Sequence, residues 1–324
     1  MPLFRNIVVG IDLSHLEHPP AAKFTPPVEE AISRAIWLAE KTAGRLTFLT
    51  VLDRSEYFVD VLGARDQEPV VKQMETLAAA TLDRLVLRAQ ENGVEARPAV
   101  RWGKGFVEII RQVLQENHDL AIVGARDLRT VKRLLFGSTA MQLVRKCPCP
   151  VWVTKPVRGS QTGLRNIAIA SDFSPVADAA LKVAVDLARY AGSKVHLVNS
   201  VDYPLDRTWI TGLPDATLES YHEKIRKHAA DKVRQQLGRV ETAGLTTPVE
   251  TDIVEGMLNP DVAILKFIKE RKIDLLAMGT IALSGIKGVV VGNMAERLLP
   301  QVNCSVLAFK PKEFHCPIAM AEPA

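Results

Sequence analysis

The chain has 324 residues, which at roughly 150 residues per domain is enough for two domains. Apolar residues make up 47%, charged residues 24% and aromatics 6%, a globular balance that excludes disordered and fibrous classes. Lys plus Arg exceed Asp plus Glu by only 41 − 37 = +4, spread along the chain with no basic arm, so nucleic acid is not an expected partner.

Short β-branched runs alternate with longer segments of helical period. In the first half the predicted strands are residues 6–11, 46–52, 96–101, 120–123 and 151–154. Val28, Ile32, Ala35, Ile36 and Ala39 recur at the spacing of one helix face, and Leu77, Leu82, Leu85 and Leu87 mark a second, less regular helix. Residues 155–165, KPVRGSQTGLR, are polar and rich in Pro and Gly without a period, and read as a linker. Strands then recur at residues 166–170, 195–200, 249–254, 275–278 and 305–308. The predicted fold class is α/β, each half a β-α-β-α-β-α-β-α-β unit with about four helices. Right-handed crossovers wind such a unit into a five-stranded parallel, doubly wound sheet, with its ligand crevice at the carboxyl ends of the strands. Asp12, Gly124, Asp172 and Gly279 all fall at such ends.

The halves are an internal repeat. Asp119 aligns without gaps on Asp274, Gly124 on Gly279, Gly137 on Gly292 and Cys149 on Cys304; upstream, NIVVGIDLS aligns on NIAIASDFS and sets Asp12 opposite Asp172. The expected organisation is a first domain over residues 1–157, a linker at 158–164, a second domain over 165–311 and a C-terminal tail at 312–324.

After its fourth strand, each half meets a small-residue pair at a predicted helix start, Gly137-Ser138 and Gly292-Asn293. A helix N-terminus presents unpaired N–H groups and partial positive charge, glycine lets an anion approach the backbone, and Ser or Asn adds a donor, so the pair suits phosphate. The same pair also begins many ordinary helices, and the repetition is what favours the phosphate reading.

Met278 to Leu299, MGTIALSGIKGVVVGNMAERLL, together with the closing runs CPCPVWVTKP and CSVLAFKP, resembles the tandem branch of the universal stress protein family. The resemblance covers both halves and implies two Rossmann-like (HUP-type) domains. In nucleotide-binding members it implies a contact from the strand-one aspartate to the nucleoside, here Asp12 and Asp172, and an adenine contact from the end of strand two, here Val51 and Ser200. It further implies that Gly124 and Gly279 let ribose and phosphates lie close, and that Gly137, Ser138 and Thr139, or Gly292 and Asn293, take the phosphates. Both halves depart from the family's second loop glycine, with Asp127 in one and Ala282 in the other. A carboxylate at Asp127 would oppose a triphosphate, offset by Arg126 and other cations of the same loop. ATP is therefore expected in the first domain if in either, and the second domain suits a different ligand, such as an apolar metabolite, or none.

Catalysis is not expected: Asp-x-Ser after a strand more often caps a helix, and no base accompanies it. Nor is a metal required by the sequence, although His15, Glu17 and His18 have a spacing that could hold one. Cys147, Cys149, Cys304 and Cys316 are too few for a disulfide framework and read as reduced thiols, with Cys149 and Cys304 buried at strand starts. Charge-free stretches such as residues 275–286 fall short of the roughly 20 needed to span a bilayer, and the N-terminus lacks a secretory pattern, so a cytoplasmic location is expected. The leading function is a stress protein that binds an ATP-like nucleotide or other small ligand without turnover. A degenerate ligand-binding or adaptor module is the alternative, ahead of an ATP-using enzyme, and a homodimer of the tandem chain is compatible with either.

Overall fold

The computed structural model describes residues 3–13, 23–53, 56–128, 133–156, 163–207, 215–255, 259–280 and 293–319. It divides into two compact units, Met1–Pro156 with Glu313–Ala324, and Val157–Lys312.

The first unit runs β1 (Asn6–Gly10), α1 (Pro26–Thr42), β2 (Arg45–Leu52), α2 (Glu56–Glu91), β3 (Glu95–Trp102), α3 (Gly105–Glu116), β4 (Leu120–Gly124), β5 (Arg126–Leu128), β6 (Arg133–Leu135), α4 (Ser138–Lys146) and β7 (Val151–Thr154). Its main strands lie in the order β7-β4-β1-β2-β3, each pair parallel. The order reverses between β1 and β4, the place where an open α/β sheet leaves a crevice at its strand ends. Parallel strands covered by helices bury both faces, which is why β4 and β7 read as near-continuous apolar runs.

The predicted face of α1 is all buried. In α2 the buried residues are Ala78, Leu82, Leu85 and Ala89, whereas Leu77 and Leu87 are 47% and 58% exposed. Five residues separate Leu77 from Leu82 and two separate Leu85 from Leu87, offsets that turn both away from the buried stripe. A further departure from the sequence reading is the segment after β4, expected as loop, where β5 and β6 pair as an antiparallel ribbon that sets Arg126 opposite Leu135.

The second unit runs β8 (Asn166–Ala170), α5 (Pro175–Ala191), β9 (Lys194–Val201), α6 (Asp215–Leu237), β10 (Glu250–Glu255), α7 (Pro260–Glu270), β11 (Leu275–Gly279), α8 (Asn293–Leu298) and β12 (Ser305–Phe309). Its parallel order, β10-β9-β8-β11-β12, repeats that of the first unit.

The aligned aspartates hold the amino ends of the central strands in each unit. Asp119 accepts from the backbone N–H groups of Arg5 and Asn6 at 2.7 and 3.0 Å, and Asp274 from those of Arg165 and Asn166 at 2.8 and 2.9 Å. Each carboxylate thus satisfies the first donors of its unit's first strand, a structural cause for the repeat. The tail joins the first unit, where Cys316 Sγ donates to Lys146 O at 3.3 Å.

Candidate functional site

The carboxyl ends of β1, β2 and β4 and the start of α4 enclose a cavity of about 560 Å³ in the first unit, within the range of small-molecule sites. Asp12, Val51, Gly124, Arg126, Gly137, Ser138 and Thr139 all line it. β1 ends at Gly10 and hands the chain over Ile11 to an exposed Asp12; Ile11 is fixed by its N–H to Leu49 O at 2.8 Å, and its carbonyl accepts from Thr50 Oγ1 at 2.9 Å. Gly137, also in the lining, starts α4 in extended conformation, brings no capping side chain, and accepts from Met141 N–H at 3.0 Å to close the first turn. Ser138 and Thr139 are exposed, and no acidic residue occupies that turn, so the positive end of the helix faces open space.

The two glycines are explained by close packing. A Cβ on Gly124 would stand 2.9 Å from the backbone of Pro27 and Val28, so this glycine admits the first turn of α1 against the strand end. A Cβ on Gly137 would stand 3.1 Å from Arg126 Cβ, so it lets α4 start beside that arginine. The backbone of Asp127 belongs to β5; its side chain lies outside the described residues.

Sequence reasoning missed Thr25 and Asp53, which also line the cavity. Asp53 follows β2 as Asp12 follows β1, a polar residue just beyond an apolar strand. Thr25 precedes Pro26-Pro27, the N-cap position of α1, yet makes no side-chain cap bond there. Both signals were present in the sequence.

The second unit uses its equivalent residues otherwise. Asp172 Oδ1 accepts from Ser174 N–H at 3.0 Å, Ser171 Oγ accepts from Phe173 N–H at 3.0 Å, and Ser174 Oγ accepts from Ala177 N–H at 3.2 Å. This tight turn, with Phe173 at φ 64°, ties the Asp172 carboxylate to its own loop. Ser200 is half-buried near the end of β9, and a Cβ on Gly279 would meet Val176 Cγ1 at 3.1 Å. Ala282 and Gly292 lie outside the described residues, as does the side chain of Asn293.

All four cysteines are free, with Cys147, Cys149 and Cys304 buried. Contact with Cys147, whose Sγ is 3.5 Å away, and burial push the Cys149 thiol well up, the setting of an inert thiol. His15, Glu17 and His18 lie outside the described residues. Among the described residues no helix is long and apolar enough to cross a membrane.

Residues 3–155 and 163–310 each match the universal stress protein family. The chain belongs to that family. Its tandem arrangement extends over the full length of similar proteins: it is 27% identical over 335 residues to universal stress protein E of Photorhabdus laumondii, covering 99% of this chain and 100% of that one. To the protein of that name in Escherichia coli K12 it is 26% identical over 332 residues, covering 99% and 98%. A crystal structure of a putative universal stress protein from Pseudomonas aeruginosa shares the fold at a TM-score of 0.66 and 22% identity, covering 96% of this chain and 94% of that one.

Proposed function

We propose that the first unit of this universal stress protein binds an adenine nucleotide of the ATP type without turning it over. The observation that carries the reading is the mixed charge of one cavity's lining: Asp12 and Asp53 line it together with Arg126 and the uncapped start of α4. Carboxylates repel phosphates and accept from hydroxyls, so a nucleotide would seat its sugar towards Asp12 and its phosphates towards Gly137, Ser138 and Thr139. Val51 would then lie against the base. Binding would act by shifting a conformational or oligomeric equilibrium, including that of a homodimer, because differential affinity for two states is all a ligand needs in order to signal. The second unit is the weaker candidate, since Ile281 stands in its sequence where the first unit has Arg126.

Native mass spectrometry of the full chain purified from cells tests the reading. An adenine nucleotide at one equivalent, with no phosphate released on incubation with ATP, is expected. A lipid-like adduct, or no adduct and no ATP uptake at millimolar concentration, would favour the adaptor reading instead.

A further inference from the structure

At the edge of the second unit's sheet, remote in sequence from its strand-end turn, β9 and β10 bring together His196, Glu250 and Asp252. His196 is paired in register with Glu250, and Asp252 lies two residues further along β10 on the same face. The ring is 3% exposed. Its Nδ1 lies 3.3 Å from Glu250 Oε2 and 3.7 Å from Asp252 Oδ2, yet neither ring nitrogen makes a hydrogen bond, and Asp252 Oδ2 is buried without a hydrogen-bond partner too. A buried imidazole and a buried carboxylate oxygen, facing each other unbonded, leave a polar demand that packing has not met.

From this geometry we infer that His196, Glu250 and Asp252 form a binding site for a divalent transition ion of the zinc class. One nitrogen and two carboxylate oxygens are a donor set that such an ion accepts. Ligand bonds of about 2.0–2.1 Å meeting at tetrahedral angles set donor atoms about 3.3 Å apart, close to the separations found. Two carboxylates supply the charge and the imidazole a nitrogen donor, and the fourth position falls to water through the exposed side of Glu250. Among the described residues, Arg271, beyond the end of α7, also faces the cluster. Its Nη2 donates to Asp252 Oδ1 at 3.1 Å, which holds that carboxylate by one oxygen and turns Oδ2 towards the ring, as an outer-shell partner does. Its Nη1 is 3.7 Å from Glu250 Oε2, a looser contact that an ion would replace.

The test is calorimetric titration of the chelator-stripped full chain with Zn²⁺ under reducing conditions. One equivalent is expected to bind with an affinity that falls at least ~10-fold in Glu250→Gln and in His196→Ala, and that is unchanged in Cys316→Ser. Zn²⁺ should also raise the melting temperature of the parent chain and not that of Glu250→Gln. Should His196→Ala fail to fold, Glu250→Gln, altered at a 44% exposed side chain, decides the matter alone. No uptake, equal affinity in Glu250→Gln, or loss on Cys316→Ser would each overturn the site and leave the cluster an ion-pair network with Arg271.

Discussion

At the start of α1, Thr25 makes no side-chain cap bond and lines an open cavity beside Asp12; at the start of α5, Ser174 caps the helix while Asp172 accepts from the Ser174 backbone. The two units descend from one pattern, NIVVGIDLS and NIAIASDFS, and carry the same aspartate at the same strand end. What differs is the setting: Asp172 accepts from the backbone of its own turn, whereas Asp12 lines a cavity. A short turn satisfied within itself leaves little for a ligand to satisfy. The same divergence recurs at the sheet edge. In the first unit Thr47 and Arg97 occupy the places of His196 and Glu250, and the guanidinium bonds Thr47 Oγ1 at 3.2 Å and pairs with Glu116 at 2.8 Å. There the cation sits on the strand and the carboxylate near the helix end; in the second unit Arg271 and the β10 carboxylates reverse that arrangement.

Matched substitutions would break or sharpen the comparison. The largest effect is expected at the strand-four glycines: Gly124→Ala forces a methyl into the backbone of Pro27 and Val28 and should cost towards the upper end of ~1–3 kcal/mol. Among the described residues Gly279→Ala meets only the Val176 side chain, and it should cost less, as read by urea unfolding of each variant.

A pH dependence should separate the units next. Burial holds the imidazole of His118 down at about 4 from 6.5, with Nδ1 3.2 Å from Asn6 O, whereas the aligned position in the second unit is Ile273. The unfolded chain therefore takes up the proton first. The stability owed to the neutral ring is complete above pH 6.5 and is lost as pH falls towards 4, by about 2 kcal/mol at pH 5. Unfolding of the full chain at pH 7 and pH 5 should show the loss, and His118→Ile should remove that part of it.

For the ligand, Ser138→Asp places a carboxylate at the start of α4, where it suits the helix and opposes a phosphate. ATP affinity should fall about tenfold with the melting temperature held or raised, while Asp172→Asn leaves affinity alone. Equal losses from both substitutions would move the nucleotide out of the first unit. The smallest effect concerns the caps: Ser174→Ala should cost about 1 kcal/mol and Thr25→Ala only a few tenths, because only the former loses a bond.

Much of this was legible beforehand. The strands at residues 151–154 and 166–170 carry the bounds expected from their β-branched runs, and the apolar stripe of α1 is the one that its period implies. The gathering of Asp12, Val51, Gly124, Arg126 and the Gly137 pair in one cavity agrees with the expectation that a doubly wound sheet opens its crevice at the carboxyl ends of its strands. The reason for Gly124 was not legible, because its close neighbours are backbone atoms almost a hundred residues upstream. His196 gave no signal either, since it falls inside an apolar strand and its partners lie more than fifty residues away on β10.

Sequence alone determined the duplication, the alternating elements and the chemical types at the strand tips, because periodicity and turn chemistry are local properties of a chain. Tertiary structure decided which of two aligned aspartates lines a cavity, which glycine makes room for a helix, and which histidine meets two carboxylates. Those outcomes depend on distances between segments far apart in the chain, and only the packed sheet sets such distances.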